Sequence, residues 1–307
     1  YGTCFHALIE NRVNEGTDPY RQGAFTIVTS ETQVEPSRAL PPKSLSNGFQ
    51  AFEGETVNGL EAYEFGFGTV FFDMDNDADQ DLYWIGSIAA RGEGPEGNIA
   101  PGVGRMLQNQ GDTTFKDVTV ESQIVDSLGV DYSVIDPDDL TFNSSRQRLG
   151  IEYHENGKGV AVGDLNGDGY IDVIGTNSNG ETFDSGGVRT VASGPLFVWV
   201  SNGGDNNWIS LRLIGRMTID GTGSNADAIG AKVTISHADF NGNTITQTRE
   251  VLGSSTFLSM SSLNVHFGVE SADKANVNIE WPSGAITTIE NVNVNELIVI
   301  TESPASR

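Results

Sequence analysis

The stretch Asp73-Met74-Asp75-Asn76-Asp77-Ala78-Asp79-Gln80-Asp81 sets carboxylates at positions 1, 3, 5, 7 and 9 of a nine-residue segment. A second stretch, Asp164-Leu165-Asn166-Gly167-Asp168-Gly169-Tyr170-Ile171-Asp172, repeats the arrangement 91 residues later, with side-chain carboxylate or amide oxygens at positions 1, 3, 5 and 9. Alternate residues of a tight turn can aim their side chains inward, and calcium takes six to eight oxygens at about 2.3–2.6 Å. A donor set made only of oxygen favours calcium over zinc or copper. The spacing predicts one calcium held by Asp73, Asp75, Asp77 and Asp81 with the Asp79 carbonyl. It predicts a second held by Asp164, Asn166, Asp168 and Asp172 with the Tyr170 carbonyl. A solvated turn without metal is the weaker reading, because neighbouring carboxylates repel one another when no cation lies between them.

Neither segment is an EF-hand, which needs a bidentate Glu at position 12 and flanking helices. Position 12 is Trp84 in the first copy and Gly175 in the second, and strand-like runs, Leu82-Tyr83-Trp84-Ile85 and Ile171-Asp172-Val173-Ile174, follow at once. The ninth ligand therefore opens a strand. At position 6 the first copy carries Ala78 in place of glycine; a left-handed conformation there would strain the first site.

Each acidic segment is preceded by a strand of small and apolar residues, Phe65 to Phe72 and Lys158 to Gly163. Residues 206–302 form a train of strand-like pieces: Trp208–Ile214, Ile229–Ile235, Ile245–Leu252, Leu263–Phe267, Val277–Trp281, Ile286–Ile289 and Leu297–Ile300. Several keep a period of two, as in Lys232-Val233-Thr234-Ile235, which puts apolar side chains on one face of a sheet. Turns such as Asn241-Gly242 and Pro282-Ser283-Gly284 separate them. The expected fold is all-β, with an antiparallel sandwich or barrel at the C-terminal end. One modest helix is expected around Val120–Leu128.

With those residues in view, the two acidic segments and their leading strands resemble FG-GAP/VCBS repeats, the calcium-loop blades of integrin-alpha-like β-propellers. Gly104 to Thr119 is similar to the blade-closing hairpin of that family, with Thr113 where a Gly is usual. The last hundred residues resemble the ASPIC/UnbV domain of the cartilage acidic protein family. That likeness runs through Asp227-Ala228-Ile229-Gly230-Ala231-Lys232-Val233, Phe257-Leu258-Ser259, Val265-His266-Phe267-Gly268 and Trp281-Pro282-Ser283-Gly284. The implied organisation is an irregular segment at 1–60, calcium-binding blades over 61–205 with an insertion near 121–156, and an ASPIC/UnbV-like domain at 206–307. Propellers have about four to eight blades. Either further blades precede these two, or the propeller is partial or reduced and its open edges are covered by its own segments or a neighbour.

The 307 residues hold 17 basic and 42 acidic side chains, a formal net charge of −25, which excludes a nucleic-acid binder that works through phosphate contacts. No apolar run is long enough for a membrane span. Because the chain opens on Tyr1, processing or a longer parent is expected. Cys4, the single cysteine, is a free or buried thiol, or the partner of a cysteine elsewhere. Asn143-Ser144-Ser145 fits a glycosylation acceptor.

His6, His154, His237 and His266 are scattered, and no nucleophile elbow, zinc-helix motif or phosphate loop is present. His266 reads as a hydrogen-bonded strand residue rather than a base. The expectation is therefore no catalytic residues. The chain reads as a secreted or surface calcium-binding protein of adhesion, matrix or extracellular assembly, with other chains, copies of itself in an oligomer or filament, or extracellular glycan as partners. The alternative is an extracellular carbohydrate-active enzyme, for which Tyr153, His154 and Glu155 are the least implausible group. A third is a metal-binding scaffold subunit of a larger complex.

Overall fold

The computed structural model describes residues 9–11, 25–27, 66–91, 98–101, 104–111, 114–124, 156–178, 180–183 and 189–304. Cys4, the Asn143 triplet, the Tyr153-His154-Glu155 group, most of the 1–60 segment and most of the 121–156 insertion lie outside the described residues. The fold is all-β. The strands are β1 (Ile9–Asn11), β2 (Phe25–Ile27), β3 (Gly66–Phe72), β4 (Asp81–Gly86), β5 (Ile88–Arg91), β6 (Asn98–Pro101), β7 (Arg105–Asn109), β8 (Phe115–Asp117), β9 (Asn156–Gly163) and β10 (Asp172–Ser178). They continue with β11 (Gly180–Phe183), β12 (Arg189–Ala192), β13 (Leu196–Trp199), β14 (Asn207–Ile214), β15 (Lys232–Ala238), β16 (Thr244–Glu250), β17 (Val265–Glu270), β18 (Lys274–Glu280), β19 (Ile286–Asn293) and β20 (Glu296–Thr301). The helix expected near Val120–Leu128 is seen as the single turn Thr119–Ser122.

The repeat reaches well beyond the acidic segments. One sheet has the order β3-β4-β7-β8 and another β13-β10-β9, and in each copy a hairpin, β5 with β6 or β11 with β12, is inserted between the second and third strands. The first strands of the copies begin 90 residues apart and the second strands 91. No closed barrel or ring of blades is seen among the described residues. Every residue of β4 is buried, as suits a run such as Leu82-Tyr83-Trp84-Ile85 that is apolar on both faces. Leu82 and Trp84 join Leu107 and Phe115 in one cluster.

Toward the C-terminus, an antiparallel sheet of order β16-β15-β18-β19 and a sheet of order β17-β14-β20 share one core. The period of two is borne out there: Val233, Ile235, Val277 and Ile279 are fully buried while their neighbours along each strand are not. Two details differ from the sequence reading. The strand expected from Ile229 begins at Lys232, because Ala228 and Gly230 take positive φ of 54° and 92° and turn the chain. Pairing is not purely antiparallel either: after β19 the chain changes sheets through Val294 and Asn295 and lays β20 parallel to β14.

The described chain divides into two compact units. One takes Val70–Gln80, Val160–Ile174 and the residues from Val198 onward, and the other takes the rest. The first of these therefore joins most of both acidic turns to the C-terminal sheets.

Within that unit Glu302, only 2% exposed, ties together loops that are distant in sequence. Its carboxylate accepts from the Ser224 N–H at 2.7 Å, the Ser224 hydroxyl at 3.0 Å, the Arg216 N–H at 3.1 Å and the Ser283 hydroxyl. Burial pushes the carboxyl up, but the hydrogen bonds from Ser283, Ser224 and Arg216 outweigh it and hold the group below its usual value. Hydrogen bonds to a charged group are worth more than neutral ones, and orphaned buried donors are costly. Glu302→Gln is expected to lower stability by about 2 kcal/mol in urea melts near neutral pH. Because the folded-state value is depressed, the difference from wild type should shrink as the pH falls through it; equal stability of the two proteins at neutral pH would show that this network contributes nothing net.

Candidate metal centre

The two acidic turns share one backbone design. Position 4 has φ of 60° at Asn76 and 80° at Gly167, and position 6 has 78° at Ala78 and 83° at Gly169. These left-handed residues curl the chain so that its N–H groups point at the first carboxylate. Asp73 accepts from the Asp77 and Ala78 N–H groups, both at 3.1 Å, and Asp164 accepts from Gly167 at 2.7 Å and Gly169 at 2.9 Å. The carboxylates at position 5 repeat the pattern, Asp77 accepting from Asp79 and Asp168 from Tyr170. The carboxylates at position 9 are both buried: Asp81 accepts from the N–H of Asn109, the last residue of β7, at 2.9 Å, and Asp172 from the N–H of Ser201, just past β13, at 2.8 Å.

Glycine adopts the left-handed region freely, whereas alanine pays about 1 kcal/mol there. The expectation that Ala78 is strained is met by its φ.

In the first turn, carboxylate oxygens of Asp73, Asp75 and Asp81 lie within 4.8 Å of one another, a cluster that could hold a metal ion. Burial, then the charges of Asp77 and Asp75, push the Asp73 carboxyl up to about 7. Burial and Asp75 raise Asp77 as well. The second turn is more open: Asn166 and Asp168 are exposed and bonded to each other, Asn166 Nδ2 donating to Asp168 at 2.8 Å. Asp79 and Tyr170 occupy position 7, each donating its N–H to the carboxylate two residues before it.

Several residues around the first turn carry little or no sequence signal of that role. Asn76, at 0% exposure, donates from Nδ2 to the Gly169 carbonyl at 3.0 Å. Its Oδ1 must then accept from His266 Nε2, 2.8 Å away, which fixes the proton of that imidazole on Nε2. Burial pushes His266 down to about 4, against a smaller upward pull from Asp164, so the ring is neutral at neutral pH. It stacks on Trp208. The strand position of His266 and its hydrogen bond agree with the sequence reading. Glu270 donates its N–H to the Asn76 carbonyl and its charge acts on Asp77, and the Arg249 guanidinium acts on Asp73 and Asp79. Only Asn76 offered a clue, since asparagine tolerates positive φ. Its side-chain partners Gly169 and His266 lie 93 and 190 residues away in sequence.

The family model described as ASPIC and UnbV matches residues 221–307, which identifies the class of the C-terminal domain. No curated protein matches the chain.

The raised Asp73 value has a direct consequence for stability. A carboxyl whose folded-state value lies above its unfolded value contributes stability that is complete below about 4 and is lost as the pH rises through about 7. In chelator, the melting temperature should therefore carry a component that falls from pH 4 to pH 7. An ion in the turn must displace that proton, so the rise in melting temperature produced by calcium should be larger at pH 8 than at pH 5. Scanning calorimetry across pH, with calcium and with excess chelator, measures both; a calcium effect that is larger at pH 5 would contradict this assignment.

Proposed function

We propose that this chain is a calcium-stabilised structural protein of the extracellular space, acting in adhesion or assembly. In this reading the two strand-turn-strand copies are FG-GAP/VCBS-type blades joined to the ASPIC/UnbV domain, as in the cartilage acidic protein family. The observation that carries it is the backbone form shared by the two acidic turns, together with the gathering of Asp73, Asp75 and Asp81 in the first, close enough to share one ion. Calcium fits because the donors are hard oxygens and the turns can add backbone carbonyls from Asp79 and Tyr170. Extracellular modules bind calcium at about 10⁻⁴ to 10⁻³ M, a range that suits a turn as open as Asp164–Asp172. A net charge of −25 keeps copies of the chain apart, so neutralisation by calcium also favours contact with a neighbour. No helix among the described residues is long and apolar enough to cross a membrane.

Thermal melts of the full chain with calcium, with magnesium and with excess chelator test the reading, together with Asp75→Asn and Asp168→Asn. Calcium at about 100 times its dissociation constant should raise the melting temperature by roughly 4–8 °C. Magnesium should do less, each single variant should lose part of the rise, and the double variant nearly all of it. No shift in the wild-type chain would overturn the calcium reading. Light scattering at high concentration in calcium reads self-association, and a strictly monomeric chain would remove the self-assembly version.

A further inference from the structure

We infer that Asn76 and Asn206 are positioning residues that link the two acidic turns, so that an ion bound in one turn raises the affinity of the other. The inference rests on the cation reading of those turns given above.

Two separate hydrogen-bonded bridges join the turns. In the first, Asn76 at position 4 of the first turn donates to the carbonyl of Gly169 at position 6 of the second. Gly169 in turn donates its N–H to Asp164, the first proposed ligand of its own turn. Asn76 is held in place on its other sides by His266 Nε2 and by the Glu270 N–H. In the second bridge, Asn206 Nδ2 donates to the carbonyl of Asp75 at 2.9 Å, and the Asn206 carbonyl accepts from the Tyr170 hydroxyl at 2.9 Å. Asp75 and Tyr170 are proposed ligand residues of different turns.

Both turns pack closely against the C-terminal strands at these points. A Cβ on Gly169 would lie 1.7 Å from the Trp208 ring, and one on Gly268 would lie 2.3 Å from both the Asn76 Cα and an Asp73 carboxylate oxygen. Drawing carboxylates around an ion reorders the turn that carries them, and the bridges attach within the turns: at the Asn76 side chain and the Asp75 carbonyl in the first, and at the Gly169 carbonyl and the Tyr170 hydroxyl in the second. The ordering cost met by the first ion is then partly shared by the second turn, which gives positive linkage. Repulsion between the ions opposes this. Five carboxylates in one turn and three in the other leave each turn net negative even with a divalent ion bound, so the second ion is still attracted. Both bridges run through main-chain carbonyls, so they act on turn geometry rather than on ligand charge.

Calorimetric calcium titrations of the full chain test the link through a cycle. Asp75→Asn disables the first turn and Asp168→Asn the second, so each variant reports the single-turn constant of the other. In the wild-type chain the overall two-ion constant should exceed the product of those two constants by roughly 5- to 30-fold. Asn76→Gly keeps the positive φ and removes both side-chain bonds, and in that background the excess should fall to about 2-fold or less. Should Asn76→Gly fail to fold, Asn206→Ala cuts the second bridge and is expected to reduce the excess several-fold. Calcium binding at both turns with no excess in the wild-type chain would overturn the linkage alone. Absence of any calcium binding by the folded wild-type chain would overturn the cation reading and the linkage with it.

Discussion

Five aspartates within nine residues repel one another, and the first acidic turn is built around that repulsion. Backbone N–H groups answer part of it: Asp73 accepts two, Asp77 one and Asp81 one. Left-handed φ at Asn76 and Ala78 is what aims the first of these donors inward. Yet burial of Asp73 among Asp75 and Asp77 still raises it toward neutrality, so the N–H groups leave negative charge uncompensated. A bound cation would complete the balance. The second turn meets the same demand with fewer carboxylates, more solvent and two glycines at the strained positions.

The rest of the compact unit is arranged to support these turns. Gly268 in β17 lets the first turn approach the strand closely, and Gly169 lets the second pack against Trp208. His266, neutral through burial, supplies a donor to Asn76 without adding a positive charge beside the acidic turn. Arg249 adds the charge from β16 instead. The C-terminal sheets are thus part of the setting of the turns as well as a domain with its own core.

Much of this was legible in the sequence, for physical reasons that differ from one part to the next. Alternating aspartates and the 91-residue repeat are local patterns, so the turns and the strands that follow them could be read directly. Period-two burial made β15 and β18 plain. The parallel pairing of β20 with β14 was not legible, because strand direction depends on where the chain changes sheets rather than on side-chain alternation. The contacts of Asn76 with Gly169 and His266 were hidden as well, since no local pattern marks residues that meet across 93 and 190 positions. The inserted hairpins β5–β6 and β11–β12 have no comparable signal, because their short strands carry little alternation of their own.

If both acidic turns are cation sites, diffraction from crystals grown in calcium will locate the ions. Anomalous difference maps should show one peak in the first turn among Asp73, Asp75 and Asp81, and a second in the turn from Asp164 to Asp172. Each ion should have six to eight oxygen neighbours at about 2.3–2.6 Å. Turns holding only water or a lattice neighbour's side chain, at calcium concentrations well above 10⁻³ M, would contradict the account.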